Sequence, residues 1–248
     1  MFGPLRLDQG LQPLAYRPVF NRFGRLHIPG ILHPDDALAL HRGVAGARGW
    51  RRTIHVADGE DVEVPIEEIE ELPPSERETF EKGLHAMARD SFRYVFDAIR
   101  VGDGRNAGPV EPALRAAYAF VNSEPFLAFV RQMTGDDRAV HADLMATRYL
   151  PGHFLTAHDD EAPGANRLFA YVLNLTPRWR ADWGGILMFL DDEDHVAEGY
   201  VPAWNALNIF KVPQRHAVSL VAPYAVGERI SLTGWIRSEI PDRTPFAD

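Results

Sequence analysis

From Asp136 onward the chain breaks into short apolar runs, at residues 139–150, 154–158, 168–175, 185–189, 207–210, 217–223 and 229–236. Each run is rich in β-branched, aromatic or aliphatic residues, the composition of strands. Turn signals punctuate them: Pro151-Gly152, Pro163-Gly164, Trp183-Gly184-Gly185 and Val226-Gly227. Strands this short and this regularly spaced predict an antiparallel sandwich or barrel rather than a parallel βαβ sheet. Before Asp136 the apolar spacing is mostly helical. Residues 25–30 predict a short strand, and Pro34-Asp35-Asp36 opens a helix through 37–44. Pro73-Pro74-Ser75-Glu76 begins a longer helix, with Phe80, Leu84, Met87, Phe92, Tyr94, Val95 and Ile99 as its stripe. Two more helices are expected at 111–119 and 123–133, the second ended by Gly135.

The expected fold is α+β with a mainly β core. A jelly roll occupies 137–240, and a mostly helical buttress, 1–136, packs on one outer face. No linker separates the two, so residues 1–248 read as a single domain.

Composition narrows the chemistry. A net charge of −9 argues against a phosphate backbone as the main partner, so no nucleic acid is expected. Cysteine is absent, which removes disulfides, thiolate zinc sites and cysteine nucleophiles and leaves His, Asp and Glu as metal ligands. With no basic leader and no run long enough to span a bilayer, the reading is a cytoplasmic protein without a membrane partner. The acidic run at 58–71 reads as a solvated, mobile loop. A sharper reading makes it a lid that recruits a basic partner.

The residues with most chemistry are His158-Asp159-Asp160 and the distant His216, followed by Arg229. Two imidazoles and one carboxylate cover one face of a non-haem Fe(II) octahedron and leave the other open. In an extended chain His158 and Asp160 point the same way while Asp159 points off. A Gly-x-Ser-x-Gly elbow, a P-loop, a Gly-x-Gly-x-x-Gly turn and a His-Glu-x-x-His pair are all absent.

These residues sit in an ordered set. Arg148-Tyr149-Leu150-Pro151-Gly152 precedes His158-Asp159-Asp160. Tyr171-Val172-Leu173-Asn174-Leu175, Trp183-Gly184-Gly185, Pro202-Ala203-Trp204-Asn205, His216-Ala217-Val218 and Arg229-Ile230-Ser231-Leu232-Thr233-Gly234-Trp235 follow. The set resembles the Fe(II)/2-oxoglutarate-dependent dioxygenases, in particular the prolyl hydroxylase branch with the hypoxia-sensing and ribosomal-protein enzymes. The resemblance implies a double-stranded β-helix, the cupin-like form of the jelly roll. It implies His158, Asp160 and His216 as catalytic iron ligands, Arg229 on the distal carboxylate of 2-oxoglutarate and the Tyr149 hydroxyl beside it. A guanidinium fork suits a carboxylate best in a dry pocket. Cofactors and co-substrates implied are Fe(II), 2-oxoglutarate and O2, with ascorbate as supporting reductant.

The implied activity is oxygenation of a C–H bond of a prolyl residue in a protein or peptide. Two alternatives stand beside it: hydroxylation of a free amino acid or small metabolite, and a non-catalytic cupin-like metal-sensing module. Ile186 and Asn174 depart from the family pattern, near the expected pocket, and bear on the substrate. His141-Ala142-Asp143 repeats the ligand spacing but lies before the Tyr149 strand. His153 and His195 read as turn or surface residues, with the acids around His195 raising its proton affinity. Arg229 has a plainer reading, a surface pair with Glu228, and Trp183, Trp204 and Trp235 read as core or rim packing more than as a proline pocket. Asn205 and Asn208 read as turn and strand-end residues, and Gly184-Gly185 as a tight turn or bulge.

Overall fold

The computed structural model describes residues 2–56, 61–101 and 110–241. Among these the chain forms six helices and thirteen strands. Helices are α1 (Pro13–Phe23), α2 (Pro34–Ala45), α3 (Ile66–Glu70), α4 (Pro74–Met87), α5 (Pro112–Val121) and α6 (Glu124–Thr134). The early strands are β1 (Arg25–Pro29), β2 (Arg51–His55), β3 (Asp61–Pro65) and β4 (Tyr94–Val101). The later ones are β5 (His141–Ala142), β6 (Leu144–Tyr149), β7 (Phe154–His158), β8 (Arg167–Asn174) and β9 (Leu187–Leu190). The last are β10 (Val196–Tyr200), β11 (Ala206–Lys211), β12 (His216–Val218) and β13 (Arg229–Arg237).

All pairings are antiparallel, in the order β1-β11-β8-β13-β6-β4-β7-β12-β9-β10. β4 joins the two halves: its residues 97–101 pair β6, and Tyr94 and Val95 pair Leu155 and Phe154 of β7. The fold is the jelly-roll double-stranded β-helix that the strand pattern implies. One large core lies between the first half's outer face and the helices, with Phe20, Leu40, Leu114, Phe126 and Met133 packed on Leu144, Leu173, Ile209 and Leu232. A second core fills the interior, where Phe96, Tyr149 and Ala170 meet Leu187, Phe189, Phe210 and Val218. Helix α4 sits elsewhere, its Leu84 against Ile54, Val95 and Phe154.

Local chemistry explains the helix ends. Ser123 caps α6 by accepting from the Phe126 N–H, and Gly135 closes it at φ 76, the left-handed value glycine tolerates. Pro34 starts α2 with Asp35 and Asp36 in its first turn.

Three expectations need correction. The long helical stripe ends at Met87, and Tyr94–Val101 is a strand at the centre of the sheet. Both its faces are buried, so its residues are mostly apolar, with Asp97 and Arg100 the exceptions, and show no regular alternation with polar ones. The acidic run is not a loop where it is described. Asp61–Pro65 pairs β2 as a strand and Ile66–Glu70 is a helix, anchored by buried Ile66 and Ile69. Asp58 to Glu60 lie outside the described residues. The expected strand at 139–150 is two strands, β5 and β6, broken at Asp143. Helix α1 and strands β2 and β10 are additions to the expected elements.

Candidate metal centre

His158 is the last residue of β7 and His216 the first of β12, and the two are register partners. Their ring centres lie 4.1 Å apart. Asp160 follows in a left-handed conformation, φ 65, unusual for a residue with a side chain. That turn brings its carboxylate back: Oδ1 is 3.4 Å from His158 Nε2, and Oδ2 is 3.5 Å from His216 Nε2. The side-by-side projection expected of an extended chain is therefore achieved by a turn, because β7 stops at His158. Asp159 points off, its Oδ1 accepting from the Glu161 N–H.

The two imidazoles are oriented alike. His158 Nδ1 is 3.0 Å from the Thr156 carbonyl and His216 Nδ1 is 2.7 Å from the Gln214 carbonyl. A carbonyl only accepts, so each Nδ1 carries the proton and each Nε2 presents a lone pair toward Asp160. Burial, then the neighbouring His158, pushes His216 down to about 4. Burial alone would raise the Asp160 carboxyl, but its close neighbours His158 and His216 outweigh it and hold it below its ordinary value. The centre thus offers two imidazole nitrogens and one carboxylate. The three ligand atoms lie within 4.8 Å of one another, and this is the one such His, Asp or Glu group among the described residues. The donor set fits a first-row divalent metal.

The triad lines a cavity of about 640 Å³, within the usual range for small-ligand sites. Leu155, Leu187, Phe210 and Val218 form its apolar wall. Arg229 and Tyr149, register partners across β13 and β6, line one end. Arg229 is 2% exposed, and its guanidinium carbon lies 4.7 Å from the centre of the Tyr149 ring. Its Nε has no partner, and no carboxylate among the described residues pairs with it. Glu228 pairs instead with Arg148, at 3.3 Å. Burial lowers the proton affinity of Arg229 and pushes the Tyr149 hydroxyl up to about 12. A dry cation without an anion is the cradle a carboxylate ligand would complete.

The rival pair lies in the same cavity but does not join the triad. His141 Nε2 is 3.9 Å from Asp143 Oδ1, while Asp143 Oδ2 takes both Arg237 Nε (2.8 Å) and Nη2 (2.7 Å). His153 is indeed in a turn, but it is 4% exposed and not on the surface. Its Nδ1 accepts from the Leu150 N–H. His195 is exposed, near Asp191 and Glu193. Ile186 and Asn174 do not line the cavity, against expectation. Asn174 is fully buried, its amide turned to the Ala206 carbonyl. Asn205 sits in a turn at φ 51 and clamps both backbone groups of Leu32, whereas Asn208 lies inside β11 and meets His27 Nδ1 at 2.6 Å. Gly184, at φ 71, crosses so near Leu220 that a Cβ would lie 2.0 Å from its carbonyl oxygen.

Of the three tryptophans only Trp235 lines the cavity; Trp183 packs edge-on to Trp179 and Trp204 on His41. Two neighbours of the triad escaped the sequence reading. Arg167 stacks its guanidinium 3.6 Å from the Trp235 ring centre and donates to the Asp160 carbonyl at 2.9 Å. Phe92 lies 5.4 Å from the His158 ring, and its alternation with Tyr94 and Phe96 was the signal available.

Residues 144–237 match the sequence profile of the 2OG-Fe(II) oxygenase superfamily. The prolyl 3-hydroxylase OGFOD1 of Mus musculus is 32% identical over 129 residues, which is 49% of this chain and 23% of that protein. The chain therefore spans about a quarter of the length of that relative. A Pseudomonas putida prolyl-4-hydroxylase structure superposes with a TM-score of 0.60 at 19% identity, covering 92% of this chain and 100% of that one. A Trichoplax adhaerens prolyl hydroxylase, solved with a hypoxia inducible factor peptide fragment, gives 0.56 at 15% identity, with 89% and 86% covered. At those identities the structures speak for the fold. Residues 144–237 thus carry the profile of the 2OG-Fe(II) oxygenase superfamily, and the chain resembles the prolyl hydroxylase-like branch of that superfamily.

Proposed function

We propose that this protein is an iron(II)- and 2-oxoglutarate-dependent dioxygenase that hydroxylates a prolyl residue of a protein or peptide. The observation that carries the proposal is the pairing, in one cavity, of a His-Asp-His face with a buried guanidinium that has no anion. His158, Asp160 and His216 would hold the metal, and Arg229, with Tyr149 beside it, would hold the far carboxylate of 2-oxoglutarate. With dioxygen, the bound iron and 2-oxoglutarate supply the chemistry that places one oxygen in a C–H bond and releases succinate and carbon dioxide.

The chain's own part is positional. The carbonyls of Thr156 and Gln214 keep both Nδ1 protons in place, so both Nε2 lone pairs stay available. Asp160 stays anionic. Leu155, Leu187, Phe210 and Val218 exclude water, which strengthens the pairing of Arg229 with a diacid. The prolyl preference rests on the likeness to prolyl 3-hydroxylase.

The test is succinate formation by purified protein given ferrous iron, ascorbate, 2-oxoglutarate and air, with a proline-containing peptide panel. His158→Ala should abolish it. Arg229→Ala should raise the 2-oxoglutarate requirement steeply. No succinate from the wild-type protein across the panel, with iron bound, would point to a metal-binding module without turnover.

A further inference from the structure

We propose that His141, Asp143 and Arg237 form a subsite for the backbone amide that follows the target residue, so that the cavity takes a peptide in preference to a free amino acid. The proposal rests on the hydroxylase reading and names the substrate feature recognised at the same site.

The cavity is longer than its co-substrate needs. Arg229 and Arg237 both line it, eight residues apart on β13 (237 − 229), which is roughly 26 Å along an extended strand. A five-carbon diacid spans roughly 7 Å, about two residues of backbone. Anchored at Arg229, it leaves the Arg237 end open to another molecule.

At that end the polar groups are fixed but incompletely used. Asp143 Oδ2 is taken by Arg237, whose Nη1 also donates to the Ala165 carbonyl. Asp143 Oδ1 faces His141 Nε2 across 3.9 Å, too far for a hydrogen bond and open to the cavity. The His141 side chain is 7% exposed, and no hydrogen-bond partner reaches its ring among the described residues. The backbone beneath is held hard. The Tyr171 hydroxyl donates to the Asp143 carbonyl at 2.6 Å, and the Asp143 N–H donates to the Trp235 carbonyl at 2.9 Å. Gly234 lets the Asp143 carbonyl approach, since a Cβ there would lie 2.1 Å from its oxygen.

The sign of the charge selects the ligand. Asp143 and Arg237 cancel, and burial lowers the proton affinity of His141 and keeps it neutral. A neutral, dipolar subsite with one free acceptor suits the N–H of a secondary amide, donated to Asp143 Oδ1 with the His141 ring beside it. The carboxylate of a free amino acid would instead meet the Asp143 carboxylate. A prolyl nitrogen in a chain carries no hydrogen, so the N–H offered is that of the next residue.

Two peptides test this, acetyl-Gly-Pro-Gly-amide and the same peptide with N-methylglycine after the proline. Binding is read from tryptophan fluorescence of manganese-loaded protein with 2-oxoglutarate under nitrogen, which needs no turnover. Methylation should weaken binding roughly ten- to a hundred-fold, the worth of one hydrogen bond to a charged group. In Asp143→Ala the two peptides should bind alike. Equal binding of both peptides to the wild-type protein overturns the proposal, as does free proline matching the parent peptide, or no binding of the parent at millimolar concentration. Amide-dependent binding without any succinate from the iron form would leave the subsite standing and remove the hydroxylase reading.

Discussion

His158 and His216 pair across β7 and β12 with their Nδ1 atoms tied to carbonyls two residues back, Thr156 and Gln214. Each imidazole is therefore aimed before any metal arrives. We predict that His158→Ala or His216→Ala weakens manganese binding by at least about ten-fold, while His141→Ala leaves it within two-fold of the wild-type value. Electron paramagnetic resonance of free manganese measures this. Equal losses in all three would shift the centre toward His141.

The isolation of Arg229 has a thermodynamic signature. Its guanidinium is buried without an anion, a cost that folding must offset elsewhere. Arg229→Met should melt no lower than the wild-type protein when 2-oxoglutarate is absent. The wild-type protein should gain about 2.7 kcal/mol when 2-oxoglutarate is present at a hundred times its Kd, and the variant nothing. Thermal melts with and without the diacid decide. A full ligand shift in the variant would remove Arg229 from the co-substrate site.

Asp97, fully buried in β4, accepts from Arg52 at 2.5 Å and from Arg148 at 2.9 and 3.1 Å. Asp97→Ala leaves both cations without that partner in a dry environment, and should cost about 3–5 kcal/mol in urea unfolding. A loss under about 1 kcal/mol would mean that water reaches the two arginines.

His153 governs acid stability. Burial, reinforced by Arg52, pushes it down from 6.5 to about 3, so the folded protein keeps it neutral while the unfolded chain protonates it. Stability is therefore present above 6.5 and declines as pH falls from about 6.5 toward about 3, by at most about 1.4 kcal/mol per pH unit. His153→Asn keeps an acceptor for the Leu150 N–H and should flatten that decline. Urea titrations at pH 4.5 and 7.5 measure it; an unchanged slope would mean the ring protonates in the folded state.

The later half of the fold was legible because its strands are short apolar runs cut apart by Pro-Gly and Gly turn signals. β4 was not. Phe80, Leu84 and Met87 set a helical spacing, and the apolar run after it, buried on both faces, carries no period of its own. β10 escaped for the opposite reason: Val196 and its neighbours form a mostly exposed edge with little apolar signal. At the site, motif order chose the triad. The separation of Arg229 from Glu228 could not be read, since adjacent strand residues face opposite ways and only the sheet says which side is dry. Nor could the turn at Asp160, whose left-handed backbone is set by the loop that follows β7.

Because β4 pairs β6 with one stretch and β7 with another, the segment from 144 to 237 is bordered by a strand it does not itself encode. A fragment cut to those limits would expose the unpaired edges of β6 and β7 and lose Phe96 from the interior. The recognisable oxygenase segment is thus shorter than the unit that can fold, and expression trials should retain at least the chain from β1 onward.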